Sequence, residues 1–249
     1  RASRRRAEAV ARCPLNAHLG IRPQPAPWHD GAMKATRILA IRHGETAWNV
    51  DSRLQGHRDI PLGDTGRVRA RRLARALAGR GDIDAIVSSD LSRALETARI
   101  VAEAQGLSVT TDIGLRERCF GNFEGRTFAE VSAAWPAEAE RWRRRDPDWS
   151  PPGEQAESLL RFQERVTHAV QALAAQNIGK QLALFTHGGV LDVLYRAATG
   201  LGLRDARTWA LGNTAVNRLL WTPDGGLTLV GWADTMHLAD ESLDEQSAA

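Results

Sequence analysis

The 249-residue chain has little cysteine: Cys13 and Cys119 are its only two. Two thiols this far apart exclude a disulfide framework and read as free thiols of a reducing, cytoplasmic compartment. No apolar run approaches 18 residues, which excludes a membrane-spanning helix. The first 32 residues lack the apolar stretch of a secretory signal. No His or Cys spacing suits a metal, no Gly-rich phosphate loop is present, and no Ser stands in a Gly-x-Ser-x-Gly elbow. Zinc hydrolases, P-loop nucleotide enzymes and α/β-hydrolases are thereby set aside. There is also no internal repeat.

Charge is nearly balanced overall, at +3, but it is segregated. Residues 1–33 carry six Arg against Glu8 and Asp30, and the last ten residues carry four acids and no base. The stretch between them is modestly basic, which suits an anionic small molecule and does not call for nucleic acid. Residues 1–32 open with Arg4-Arg5-Arg6 and close with Pro23, Pro25 and Pro27, and are expected to be a disordered arm. Met33 is expected to be the functional start. Residues 33–239 read as one domain, with 240–249 as an acidic tail.

From Arg37 onward strand and helix signals alternate. Strands are expected at Ile38–Arg42, Ile83–Ser88, Ser108–Thr111, Leu182–Phe185, Val216–Trp221 and Leu227–Trp232. Helices are expected at Asp64–Ala78, with Asp64 as its N-cap and Gly79 as its stop, at Leu91–Ala104, across Leu159–Leu173, and at Val190–Ala198, where apolar residues recur at helical spacing. The alternation predicts an α/β fold: three layers, αβα, with a mainly parallel sheet covered by helices on both faces. Residues 112–156 break the pattern with Gly, Pro, aromatics and Arg143-Arg144-Arg145. They read as a lid-like insertion whose Phe120, Phe123, Trp135, Trp142 and Trp149 line mixed apolar and cationic walls.

The densest signal is Arg42-His43-Gly44-Glu45-Thr46 after the strand 38–41. Such a five-residue match is expected by chance about once in ten thousand chains of this length, taking each residue type at roughly one in twenty. It puts a cation, a nucleophilic imidazole and a permissive turn at one strand end. Two other segments share that position: Ser88-Ser89-Asp90-Leu91-Ser92-Arg93 and Thr186-His187-Gly188-Gly189. Ligands of open α/β sheets bind beyond the carboxyl ends of strands, where helix N-termini add free N–H groups. Taken singly, Arg42 and Arg93 read equally as surface ion-pair formers, His187 as a turn residue and Glu117 as an exposed ion pair. Their joint occurrence in this order argues otherwise.

These segments, with Asn49, Gln55-Gly56 and Leu115-Arg116-Glu117, resemble the histidine phosphatase superfamily, also called phosphoglycerate mutase-like, over roughly residues 37–239. The resemblance implies that His43 attacks phosphorus and carries a transient phosphohistidine. It implies that Arg42, Arg93, His187, Asn49, Gln55 and Gly188 bind the phosphoryl oxygens. Glu117 would protonate the leaving oxygen and then activate water. No metal or cofactor is implied. His57 is placed near the site by the same resemblance, with a surface role equally open.

The family holds hydrolases and mutases. Mutases resemble one another in a Glu-Arg-His-Tyr-Gly segment followed by a Lys. Here the segment is Glu117-Arg118-Cys119-Phe120-Gly121, and Phe128 stands at the Lys position. The expected activity is therefore metal-independent hydrolysis of a small phosphorylated metabolite. A phosphoglycerate mutase, which would need 2,3-bisphosphoglycerate, is the alternative, and a non-catalytic phosphate-binding module is the alternative of another class. No membrane or nucleic-acid partner is expected, and a homodimer is left open.

Overall fold

The computed structural model describes residues 35–78 and 83–239. The expected arm at 1–32, the Met33 start, the helix stop at Gly79 and the acidic tail at 240–249 lie outside them. The described residues form β1 (Thr36–Arg42), α1 (Ala47–Val50), α2 (Asp64–Ala78), β2 (Ala85–Ser88), α3 (Ser92–Gln105) and β3 (Val109–Thr111). After the short helices α4 (Phe128–Ala134) and α5 (Pro136–Arg143) come α6 (Leu159–Ala175), β4 (Gln181–Thr186), α7 (Gly188–Thr199), β5 (Val216–Thr222) and β6 (Gly226–Asp234).

One six-stranded sheet runs β3-β2-β4-β1-β5-β6. The β3, β2, β4 and β1 strands are mutually parallel, and β5 is antiparallel to both its neighbours. The sheet is thus mainly parallel. Alternate residues of β1 explain why its apolar run is unbroken. Ile38 and Ala40 face α6 and α7, packing with Val166, Val170, Leu191 and Leu194. Leu39 and Ile41 face the other way, onto Leu73 and Leu77 of α2 and Val101 of α3. A strand buried on both sides has no polar face to show.

Two helix starts differ from expectation. Asp64 is the first helical residue of α2 rather than a residue preceding it, and Leu91 caps α3 from outside without a side-chain bond. An acidic residue in a first turn is favoured by the helix dipole, so the Asp64 position still suits its charge. Strand and helix limits otherwise lie within two residues of the pattern.

The insertion is less a wall than a small body of its own. Phe123, Val131, Ala139 and Trp149 are buried together, with Phe120, Phe128, Trp135 and Trp142 packed around them. Of the five aromatics expected to line a cleft, Phe120 and Trp142 line the one that holds His43. Phe123, Trp135 and Trp149 serve the insertion's core instead, because a 45-residue excursion needs apolar burial to hold its shape.

Candidate active site

β1 and β4 are adjacent and parallel, with Arg42 opposite Thr186. Each strand continues into a histidine, and the His43 N–H donates to the Thr186 carbonyl at 2.9 Å. The two imidazoles therefore meet, with ring centroids 5.2 Å apart.

His43 is 3% exposed. Its Nδ1 lies 2.7 Å from the Gly44 carbonyl, which can only accept, so Nδ1 carries the proton and Nε2 keeps its lone pair. Burial first, then the nearby Arg93 and Arg42 charges, hold the His43 pKa well below its usual value. The imidazole is neutral and ready to donate electrons.

The peptide around His43 is fixed from several sides. The Gly44 N–H donates to Thr97 Oγ1 at 3.0 Å, and Asn213 Nδ2 donates to the His43 carbonyl at 2.9 Å. A Cβ on Gly66 would lie 2.2 Å from the Glu45 carbonyl oxygen. Only glycine lets the α2 N-terminus come so close to this loop.

His187 is fully buried, and its pKa is likewise pushed well down, by burial before the Arg93 charge. Its Nε2 lies 2.9 Å from Ser89 Oγ. Ser89 Oγ also accepts the Leu91 N–H at 3.3 Å, which ties the His187 ring to the start of α3. The His187 Nδ1 is buried and has no protein partner among the described residues. His187 stands against the His43 ring and is not itself among the residues that line the cleft.

Two guanidinium groups flank the histidines, and neither is a surface ion-pair former. Arg93 is fully buried, its Nη1 and Nη2 donating to the carbonyls of Arg58 and Gly56 at 2.9 and 2.8 Å. Arg42 Nη1 donates to the Leu211 carbonyl. The Nε of each is buried and without a protein partner. Desolvation drives the Arg93 pKa down to about 10 and lowers that of Arg42. Both side chains stay charged at neutral pH; their hydrogen bonds go to carbonyls, and Glu117 is the charge that acts most on each.

Glu117 stands across from them. Its Oε1 accepts from the Arg118 N–H at 2.8 Å, and its Oε2 from the Gly189 N–H at 3.0 Å. It is not part of an exposed ion pair: Arg116 turns to Asp90, and Arg118 is buried. The segment that carries it is held by Arg165, whose Nη1 and Nη2 reach the carbonyls of Gly114, Arg116 and Glu117, and by His57 Nε2, 2.8 Å from the Glu117 carbonyl. His57 is thus a backbone support and does not line the cleft.

Arg42, His43, Asn49, Gln55, Arg93, Glu117 and Gly188 open into one cleft of about 750 Å³. Asn49 Oδ1 accepts the Thr46 N–H at 3.1 Å, which leaves its NH2 as the amide's free end. Gln55 is 7% exposed, with Oε1 unpartnered. Gly188 begins α7, whose N-cap His187 makes no side-chain capping bond. Ser89, Asn213 and Arg165 had no individual sequence signal. Each acts through a partner at least 48 positions away in the chain. Among the described residues no group of three or more His, Cys, Asp or Glu side chains is arranged to hold a metal ion.

A buried neutral imidazole between two buried guanidinium groups, with a carboxylate opposite, defines a phosphoryl-transfer site of the histidine type. The chain belongs to the histidine phosphatase superfamily: the model of that superfamily's branch 1 matches residues 38–235. It is 36% identical to phosphoglycerate mutase-like protein 4 of Arabidopsis thaliana, over 82% of this chain and 87% of that one. It is 38% identical to glucosyl-3-phosphoglycerate phosphatase of Mycolicibacterium vanbaalenii, over 68% and 76%. The solved structure of Entamoeba histolytica phosphoserine phosphatase with 3-phosphoglyceric acid superposes with a TM-score of 0.72 at 28% identity, covering 82% and 99%.

Proposed function

We propose that this protein is a phosphomonoester hydrolase for a small phosphorylated metabolite, working through a phosphohistidine. The single observation that carries the reading is His43: buried, neutral, and tautomerically fixed with Nε2 free. Nε2 attacks phosphorus and the P–O ester bond breaks. Arg42, Arg93 and His187 take the equatorial oxygens, with Asn49, Gln55 and the α7 N-terminus at Gly188 beside them. Glu117 gives its proton to the leaving alkoxide. It then removes one from a water that attacks the phosphohistidine, releasing inorganic phosphate and restoring His43.

The guanidinium groups supply the charge neutralisation that divalent ions supply elsewhere, so the reaction is read as needing no cofactor. Named phosphatases among the relatives support hydrolysis. The mutase reading is weaker. Phe120 brings no polar atom to the cleft, and Phe128 packs on the insertion's own core. A cytoplasmic setting belongs to the same reading, supported by the free buried thiol of Cys119. No helix among the described residues is long and apolar enough to cross a membrane.

The test is phosphate release from an aryl phosphate in the presence of a chelator. Release that is abolished in His43→Ala is expected. Release that is unchanged in His43→Ala would reject the mechanism. Conversion of 3- to 2-phosphoglycerate dependent on added bisphosphate would replace hydrolysis by the mutase reading.

A further inference from the structure

Two polar atoms in the wall of the cleft have no partner among the described residues: Oδ1 of Asp192 and Nε1 of Trp209. The two residues are only 8% and 9% exposed. A buried polar atom left unbonded is destabilising, so each calls for an explanation. Other tryptophans have found acceptors. Trp149 Nε1 donates to Glu138, and Trp232 Nε1 to the Ala210 carbonyl.

Neither side chain is loosely placed. Asp192 Oδ2 accepts from Arg145 Nη2 at 2.9 Å and from Arg196 Nε at 3.0 Å. Two guanidinium groups thus fix one oxygen of the carboxylate and leave the other. The Trp209 ring stacks on Tyr195, with centroids 4.1 Å apart, and Arg196 Cζ lies 4.9 Å from its centre. Arg196 therefore holds both residues side by side.

Their position follows from the elements that build the phosphate end. Asp192 stands four residues beyond Gly188 on the same face of α7, a rise of about 6 Å. Trp209 lies in the loop between α7 and β5, two residues before Leu211, whose carbonyl receives Arg42. The pair is one helical turn beyond the phosphoryl site. A cleft of about 750 Å³ is the size of a site for a whole small molecule and not for a phosphate alone.

The chemistry of the two atoms is complementary. A carboxylate oxygen only accepts, and an indole N–H only donates. A ligand ammonium would suit Asp192 but meet the indole N–H and two guanidinium groups. A ligand carboxylate would suit Trp209 but meet Asp192. A hydroxyl both donates and accepts, and it brings no charge. We propose that Asp192 and Trp209 form a hydroxyl-reading subsite, so that the preferred substrate is the phosphomonoester of a polyol or sugar. This rests on the phosphatase reading of the same cleft. Phe162, Val193 and Leu203, also in the lining, offer apolar surface to the C–H face of such a group. The alternative is that ordered water takes both atoms, in which case a ligand hydroxyl gains nothing over the water it displaces.

Binding tests this without depending on turnover. His43→Ala protein is titrated by calorimetry with esters matched in carbon number and charge. The pairs are glycerol 3-phosphate with propyl phosphate, ribose 5-phosphate with pentyl phosphate, and glucose 6-phosphate with hexyl phosphate. In at least one pair the hydroxylated ester is expected to bind about tenfold more tightly, the gain of one hydrogen bond to a charged group. Trp209→Phe keeps a ring for Tyr195 and Arg196 and loses the N–H. Asp192→Asn keeps an oxygen for the two guanidinium groups and turns an NH2 to the place of Oδ1. Each is expected to reduce the margin. Trp209→Phe preserves the packing, so it is informative even if Asp192→Asn does not fold.

The subsite is overturned if no hydroxylated ester outbinds its alkyl match, or if the margin survives either substitution. Wild-type turnover separates the two readings. Hydrolysis of alkyl and hydroxylated esters alike, with no binding margin, removes the subsite and keeps the phosphatase. A binding margin with no hydrolysis of any ester does the reverse.

Discussion

The Gly189 N–H donates to Glu117 Oε2 at 3.0 Å, and a Cβ on Gly189 would lie 2.1 Å from Glu117 Oε1. The start of α7 therefore orients the carboxyl and requires glycine to do so. Gly189→Ala is expected to displace Glu117 and lower kcat/KM for an alkyl phosphate by about a hundredfold, the lower range for losing general acid catalysis. An aryl phosphate, whose phenolate leaves without a proton, should lose much less. Equal losses on the two esters would mean that Glu117 is not the acid.

His43 is expected to hold the phosphoryl group between the two half-reactions. Acid is unsuited to trapping it, since phosphoramidates hydrolyse there. Rapid quenching into alkali should instead recover a base-stable label from a phosphorus-labelled substrate. The same quench of His43→Ala should recover none.

Both cleft histidines have depressed pKa values, which sets a sign for stability against pH. In the unfolded chain they protonate near the ordinary histidine value of about 6.5, whereas in the folded protein they stay neutral to lower pH. Below about pH 6.5 the unfolded chain therefore binds more protons, and stability falls as pH falls. Their contribution is fully present above that value. Urea midpoints taken on either side of it should show the drop, and the drop should shrink in a His43→Asn, His187→Asn double variant.

Arg196 is fully buried in side-chain terms, and among the described residues its one carboxylate partner is Asp192, at 3.0 Å. The same Asp192 oxygen receives Arg145 from the insertion. Asp192→Ala strands a buried guanidinium and is expected to cost about 3 to 5 kcal/mol. Denaturant unfolding measures this. A loss below about 1 kcal/mol would show that the carbonyls of Gly202 and Asp205, which also receive Arg196, suffice.

The sequence made some of this legible and hid the rest for physical reasons. The stripe Ala70, Leu73, Ala74 and Leu77 is buried in α2 because helical spacing alone determines which residues share a face. His43 and His187 were readable because each follows an apolar strand directly. Ser89 was not, because its role depends on a histidine 98 positions away. Nor could sequence divide Arg143, Arg144 and Arg145. The first two share Glu140 on the surface, while Arg145, at φ 50°, turns back toward Asp192. Phe120 and Trp142 could not be told from Phe123, Trp135 and Trp149, because composition records apolar area and not which side of a small core it covers.

The register of β1 against β4 has a kinetic consequence. His43 and His187 stand 144 positions apart, yet each is one residue beyond the paired Arg42 and Thr186. A one-residue slip would turn every side chain of one strand to the other face and carry its histidine out of reach. Closing so long a loop is among the slower events of folding. During refolding, recovered activity should therefore lag behind recovered helix, and the enzyme reports in its own turnover the moment at which its two central strands have found each other.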